Sequence, residues 1–191
     1  MIFLKNRKKK LRARMGQARK GLAEAHPEAP DALVENFPDE IWPKIGAVVS
    51  GFVPIRGEID PRKLLAAFSC EGAVTALPVT KPGNALEFRA WRPGDPLVQA
   101  GMGLSEPPDS ADRVHPTIVL TPLLAFDLKG RRLGWGGGFY DREVAQMRGE
   151  RSVQIVGIAF DAQKVNRVPT GRHDQPLDWI VTEKAAYKAQ H

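Results

Sequence analysis

With 191 residues, 42% of them hydrophobic and 26% charged, the chain can bury one sizeable α/β core and is neither disordered nor fibrous. No apolar run approaches the roughly 20 residues of a membrane-spanning helix, and the apolar run at the start is too short for a secretory signal. A single cysteine, Cys70, excludes an intrachain disulfide, and no Cys/His spacing resembles a zinc site, so the expected setting is a soluble protein of a reducing, cytoplasmic compartment.

The net charge of +6 is unevenly placed: residues 1–20 carry nine Lys/Arg and no acid, and the remaining 171 residues sum to −3. In that basic segment Leu4, Leu11, Met15, Ala18 and Leu22 form an apolar stripe at helical spacing, which predicts a helix over residues 4–22. Lys8 falls where the stripe skips and so sits on the packed face, with Arg12 one turn on. Either Lys8 packs its stem and keeps its charged head in water, or the packed face meets an anion.

A second helix is expected over Pro30–Glu40, ended by Trp42-Pro43. Ile45–Val53 reads as a buried strand, and Asp60-Pro61 offers a cap and first-turn proline for a helix through Cys70. Val74–Val79 and Leu86–Trp91 read as strands joined by a turn over Lys81–Asn84, and Arg92–Asp112 as a long ordered loop. Thr117–Thr121, Val153–Phe160 and Trp179–Val181 are further strands, and Phe139–Met147 is a helix. Alternating strands and helices predict a three-layer α/β/α domain with a mainly parallel sheet, spanning residues 1–191, in which ligands bind beyond the carboxyl ends of the strands.

The segment from Asp127 to Arg142, DLKGRRLGWGGGFYDR, holds the densest chemistry. Five glycines between 130 and 138 permit close backbone approach and an anion nest, a helix starts directly after them, and Arg131 and Arg132 add positive charge. It is neither a Walker loop nor a dinucleotide fingerprint. Asp141 either compensates the helix dipole or binds a metal beside a phosphate; Asp174, in the loop Arg172–Asp178, is either a turn aspartate or a second metal carboxylate. Glu58 stands in a Pro/Gly turn after a buried strand, where Asp60 already supplies the cap, so it has no evident structural task.

Taken in order, these segments resemble the 5-formyltetrahydrofolate cyclo-ligase (methenyltetrahydrofolate synthetase) family. The resemblance runs from the N-terminal helix to Glu183. It rests on Lys8…Leu11-Arg12, Pro54-x-x-Gly57-Glu58-Ile59-Asp60, Glu87–Leu97, Pro122-x-x-Ala125-Phe126-Asp127, the Arg132–Arg142 segment, and His173-Asp174-x-Pro176-Leu177-Asp178. It implies a fold similar to sugar-phosphate isomerases and CoA-transferases, and an ATP- and magnesium-dependent conversion of 5-formyltetrahydrofolate to 5,10-methenyltetrahydrofolate with release of ADP and phosphate. It also implies site roles. Lys8 and Arg12 would bind ATP phosphates, together with Arg132, Leu133, Gly134, Trp135, Gly136, Gly137, Gly138, Phe139 and Tyr140. Arg132 and Tyr140 would be catalytic, and Asp141 and Asp174 would serve Mg2+. Glu58 would hydrogen-bond the pterin, with Phe52, Val53 and the Trp135–Phe139 stretch lining the folate pocket.

Two other readings compete with this one. A nucleic-acid-binding protein would use the basic helix on phosphate backbones, but the −3 body lacks the spread of cations it needs. An isomerase-like relative of the same fold would leave the paired aspartates and the basic helix without a task. Small-molecule partners, no membrane and a monomer are expected.

Overall fold

The computed structural model describes residues 2–190 except Pro82 and Asn84, so half of the expected Lys81–Asn84 turn lies outside the described residues. Short β-branched runs build the centre. Strands β1 (Val48–Ser50), β2 (Val74–Lys81), β3 (Ala85–Ala90), β6 (Ile118–Pro122), β9 (Gln154–Ile158), β10 (Trp179–Val181) and β11 (Ala186–Lys188) form a sheet in the order β11-β10-β9-β6-β1-β2-β3. The five inner strands from β10 to β2 pair in parallel, with registers such as Val49↔Ile118 and Val119↔Ile155, and only the edge strands β3 and β11 run antiparallel. Two hairpins stand apart, β4 (Val98–Gln99) with β5 (Ser105–Glu106), and β7 (Ala125–Phe126) with β8 (Arg132–Leu133).

Consecutive strand residues point to opposite faces, and the sheet therefore feeds two cores. On one face Val49, Leu120 and Val156 pack with Leu33 of α3 (Ala29–Asn36) and with Leu64, Leu65 and Phe68 of α4 (Arg62–Cys70). On the other, Val119, Ile155 and Ile180 pack with Val144 and Met147 of α5 (Phe139–Glu150). A third, smaller cluster joins Met15 of α1 (Ile2–Ala18) to Leu124, Ala125, Leu133 and Val168, which lays the basic helix across the β7–β8 hairpin. The three-layer, mainly parallel expectation holds.

Several boundaries differ from the sequence reading for local reasons. The basic helix stops at Ala18, and a left-handed Gly21 turns the chain into a separate short helix, α2 (Leu22–Ala25). Ala18 itself is exposed; the inward stripe runs Leu4, Lys8, Leu11, Met15 and then Arg19, which is 1% exposed. The expected helix over Pro30–Glu40 ends at Asn36 and resumes only as a 3₁₀ turn over Asp39–Ile41. The strand expected over Ile45–Val53 is three residues long, because Ile45 is exposed and the chain leaves the sheet after Ser50. The sequence pattern does not predict strands β4, β5, β7, β8 and β11; all are two or three residues long, too short for an alternation signal.

The Asp127–Arg131 turn between β7 and β8 aims Arg132 and depends on its polar groups. Asp127, 2% exposed, accepts hydrogen bonds from the backbone N–H groups of Lys129 (3.0 Å), Arg131 (3.3 Å) and Val168 (2.8 Å). Gly130 has φ +69°, and a Cβ there would lie 2.5 Å from the Leu177 carbonyl oxygen, a backbone atom that cannot swing away. Gly130→Ala is therefore expected to cost about 1–3 kcal/mol in urea denaturation. Gly149→Ala in α5, where a Cβ meets nothing within 4 Å, is expected to be neutral or slightly stabilising in the same measurement.

Candidate active site

Strand β1 is followed in sequence by β2 on one side of it, whereas β6, on its other side, leads outward to β9 and β10. This reversal leaves a crevice at the carboxyl ends of β1 and β6, the general ligand position in such sheets. A cleft of ≈ 800 Å³ opens there. Phe52 and Val53 after β1, and Thr121 and Pro122 at the end of β6, line its inner wall. The glycine loop, the start of α5, the Asp174 loop and the inward face of α1 complete it.

Every residue proposed for the site from the sequence lines this one cleft, including Lys8, Arg12, Glu58, the whole Arg132–Asp141 run and Asp174. Lys8 does not hold its head in water: its Nζ donates to both Asp174 oxygens at 2.6 and 2.5 Å. Arg12 Nε donates to the Gly134 carbonyl at 2.9 Å, so helix and glycine loop are tied directly. Gly138, with φ +70°, precedes α5 and supplies no side-chain cap, which leaves the helix N-terminus open to an anion from the cleft.

Asp141 does not cap its helix. Its Oδ1 accepts from Arg132 Nη2 at 2.8 Å and from the Gln175 backbone N–H at 3.1 Å, joining α5, β8 and the Asp174 loop. Asp174 takes the turn role, accepting the Gly171 N–H at 2.5 Å, and also pairs with Lys8, a partner the sequence reading did not give it. Arg132 is 7% exposed, and its Nη1 is buried with no hydrogen-bond partner among the described residues. Burial lowers the Arg132 pKa, and the Asp141 carboxylate works against that shift. A buried cation with a spare N–H, beside a glycine loop, is equipped for an anionic ligand.

Around Glu58 the cleft holds a different chemistry. Glu58, 7% exposed, accepts from the Ile55 N–H at 3.1 Å, the Trp135 indole N–H at 3.1 Å and Arg19 Nη1 at 3.4 Å. Burial pushes its carboxyl above the ordinary glutamate range, and these three donors act in the other direction. The Trp135 ring lies between two guanidiniums, 4.9 Å from that of Arg19 and 5.0 Å from that of Arg56. Tyr140 is pushed well above its ordinary pKa, chiefly by burial and then by Glu58, so its phenol stays neutral and able to donate.

Two motif segments serve the fold instead of the cleft. Arg89 binds Glu87 and the carbonyls of Asp109 and Ala111, and Trp91 Nε1 donates to the Asp95 carbonyl, clamping the 92–112 excursion to β3. Asp178 accepts from Arg148 and from the Ile155 N–H. Sequence reasoning missed Arg19, whose i+4 spacing from Met15 continues the packed stripe and was the available signal. It also missed Thr121 and Glu106, for which there was none.

The two carboxylates beside Lys8 and Arg132, Asp174 and Asp141, are hard oxygen donors that each already balance a cationic side chain. Among the described residues no group of three or more His, Cys, Asp or Glu is placed to cage a metal. Two carboxylates with room for phosphate and water fit magnesium, which takes few protein ligands.

A switch-point cleft with a cation-rich glycine loop and a buried carboxylate defines an α/β enzyme that binds an anionic ligand beside a polar one. Residues 4–183 match the model of the 5-formyltetrahydrofolate cyclo-ligase family. The chain is 35% identical over 146 residues to the 5-formyltetrahydrofolate cyclo-ligase of Escherichia coli (strain K12), covering 73% of this chain and 80% of the relative. It is 38% identical over 127 residues to that of Haemophilus influenzae, covering 63% and 67%. Among solved structures, the 5,10-methenyltetrahydrofolate synthetase of Aquifex aeolicus matches with a TM-score of 0.78 at 29% identity, covering 96% of this chain and 93% of that one. The chain belongs to the 5-formyltetrahydrofolate cyclo-ligase family and is a ligase, with ATP as the co-substrate that membership implies. The nucleic-acid reading is not favoured: of the nine N-terminal cations, Lys8, Arg12 and Arg19 turn inward to the protein.

The Trp135–Glu58 bond generates a test. Trp135→Phe keeps a ring between the two guanidiniums but removes the N–H, and is expected to cost about 1–2 kcal/mol at neutral pH in urea denaturation. The loss should shrink as pH falls through the raised Glu58 pKa, since a neutral carboxyl accepts a weaker bond.

Proposed function

We propose that this cleft converts 5-formyltetrahydrofolate to 5,10-methenyltetrahydrofolate at the expense of ATP, using Lys8, Arg12 and the Arg132–Tyr140 loop for the phosphates and Glu58 for the pterin. The observation that carries this reading is that one cleft holds both a cation-lined glycine loop and the buried Glu58 carboxylate, which Trp135 of that loop bonds at 3.1 Å. The formyl oxygen is a poor leaving group, and transfer of the γ-phosphoryl group to it makes it a good one. That oxygen attacks phosphorus as the bond to ADP breaks. N10 then adds to the activated carbon, phosphate departs with the oxygen, and N10 gives up its proton.

The protein supplies position and charge, which is what phosphoryl transfer chiefly requires. Lys8 and Arg12 approach from the inward face of α1, the loop N–H groups and the α5 N-terminus receive phosphate oxygens, and the spare Arg132 Nη1 meets charge that develops during transfer. The neutral Tyr140 phenol donates to an oxygen of the transferring group. The two oxygens of Glu58 match the adjacent ring N–H and amino group of a pterin. Phe52, Val53 and the Trp135–Phe139 stretch give that ring its apolar walls. Asp141 and Asp174 would hold Mg2+, which when bound neutralises charge on the phosphate chain.

All these groups lie between Lys8 and Asp174 of this chain, so the reading takes residues 1–191 as a single catalytic domain and needs no residue from a second copy. No helix among the described residues is long and apolar enough to cross a membrane. A lone cysteine and a nucleotide substrate support a cytoplasmic site of action.

Formation of the methenyl product, followed by its absorbance, should require 5-formyltetrahydrofolate, Mg2+ and ATP together; product without ATP would overturn the reading. Asp141→Asn should lower kcat about 10- to 100-fold and raise the Mg2+ requirement, and, because it removes the charge that balances buried Arg132, should lower the thermal melt while the folded circular dichroism spectrum is retained. Full activity at the original Mg2+ concentration would remove Asp141 from the metal site. Because ionised Glu58 is the binding form and burial raises its pKa, affinity for the folate should be complete above that pKa. It should be lost as pH falls, beginning above the ordinary glutamate range, in a plot of folate KM against pH.

A further inference from the structure

Arg19 is the most deeply buried charged side chain among the described residues, at 1% exposure, and no step above uses it. Its guanidinium lies behind the cleft wall and touches three residues on two separate segments. Nη2 donates to the Arg56 carbonyl at 2.9 Å, and Nη1 reaches Glu58 Oε1 and the Leu123 carbonyl, both at 3.4 Å. Nε is buried without a hydrogen-bond partner among the described residues. The side chain costs desolvation and leaves one donor unsatisfied, so packing alone is a poor account of an arginine here.

The backbone around its partners is strained. Arg56 (φ +52°) and Gly57 (φ +72°) are consecutive left-handed residues at the centre of a turn closed by the Glu58 N–H to the Ile55 carbonyl at 3.1 Å. Gly57 takes that conformation freely, but Arg56 does not. Arg19 bonds the carbonyl of that strained residue and, with the same guanidinium, the carboxylate two residues later. The turn sits directly over the Arg19 backbone: a Cβ on Gly57 would lie 3.6 Å from the Arg19 carbonyl oxygen. Conformation of the turn and direction of the carboxylate are thus held by one group.

We propose that Arg19 is a positioning residue for folate binding, which holds the Arg56–Gly57 turn and keeps the Glu58 carboxylate ionised and aimed into the cleft. This rests on the reading of Glu58 as the pterin acceptor. The charged and titratable groups that face Glu58 are Arg19 from the end of α1, Arg56 from its own turn, and Tyr140 from the start of α5. Trp135 adds an uncharged donor. Of these, only Arg19 places a cation within hydrogen-bond reach of the carboxylate.

The test uses the full chain and the methenyl-forming assay, with Arg19→Met, Glu58→Gln and the double variant. Arg19→Met is expected to raise the folate KM about ten-fold or more and to leave the ATP KM within about two-fold. It should also move the acid limb of the folate KM profile upward by about one pH unit. In the Glu58→Gln background, where no carboxylate remains to be held ionised, Arg19→Met should raise the folate KM far less than in the parent. The double variant also covers the case in which the single change leaves an orphaned buried carboxylate and fails to fold, since it buries no unpaired charge at this point.

An equal rise in both KM values, an unmoved acid limb, or the same rise in the Glu58→Gln background would overturn the proposal in favour of a purely structural arginine. If Glu58→Gln leaves the folate KM unchanged, the pterin role of Glu58 falls and the proposal with it. If Glu58→Gln raises it and Arg19→Met does not, only the inference about Arg19 falls.

Discussion

Lys8 and Asp174 stand 166 residues apart and meet at 2.5 Å, and the geometry of the cleft depends on that pair. The N-terminal helix has a weakly apolar inward face, with Met15 as its buried anchor on the β7–β8 hairpin. Charge completes what so few apolar side chains begin. Lys8 ties the helix to the last loop, Arg12 ties it to the glycine loop, and Arg19 ties its end to the turn that carries Glu58. A helix whose cations point inward in three successive places is held by the same groups that make the cleft positive. Its docking and the electrostatics of the site are one arrangement.

The two walls of the cleft handle charge differently, and burial is the reason. Around Arg132 and Asp174, each carboxylate already has a cation against it, Lys8 on Asp174 and Arg132 on Asp141, and the spare capacity lies in donors: loop N–H groups, a helix N-terminus and Arg132 Nη1. An anion entering there meets groups that water would otherwise have to satisfy. Around Glu58 the charge is negative, largely buried and surrounded by three donors, so the carboxylate is kept in one orientation at a cost in its own ionisation. A strongly charged ligand suits the first wall, and a neutral heterocycle with two adjacent N–H groups suits the second.

The separation of walls follows from the sheet. Because β1 sends the chain one way to β2, while β6 leads the other way to β9 and β10, loops from both halves converge only above the β1–β6 boundary. The loop after β1 supplies Phe52, Val53 and Glu58, and the excursion after β6 supplies the hairpin, the glycine loop and α5. The segments that contribute no side chain to the cleft hold connections in place by side-chain bonds to backbone, Arg89 and Trp91 pinning the 92–112 excursion to the edge strand β3 and Asp178 pinning its loop to the inner strand β9.

Features with a local signal are readable from the chain alone. Alternating β-branched runs and helical periods specify the parallel core. Consecutive glycines before a helix specify an anion-binding backbone, and a lysine in a gap of an apolar stripe specifies a cation facing inward. Lys8 and the Arg132–Asp141 run carry such local signals and Glu58 stands out because nothing structural explains it, whereas Asp174 reads locally as a turn aspartate as readily as a metal carboxylate and enters the site through the family resemblance. Pairing is another matter and is settled in three dimensions. Ala18 and Arg19 are neighbours in one turn, and which of them faces inward depends on where the helix ends and on the carboxylate waiting in a turn 39 residues away. The two-residue strands of the β7–β8 hairpin draw on distant partners, Ala125 and Leu133 packing with Met15 of α1 and Phe126 with Val144 and Met147 of α5. That Asp141 bonds Arg132 and Gln175 and not its own helix is likewise set by the loops that meet it. Short strands and buried ion pairs draw their stability from partners distant in the chain, so no window of sequence contains them.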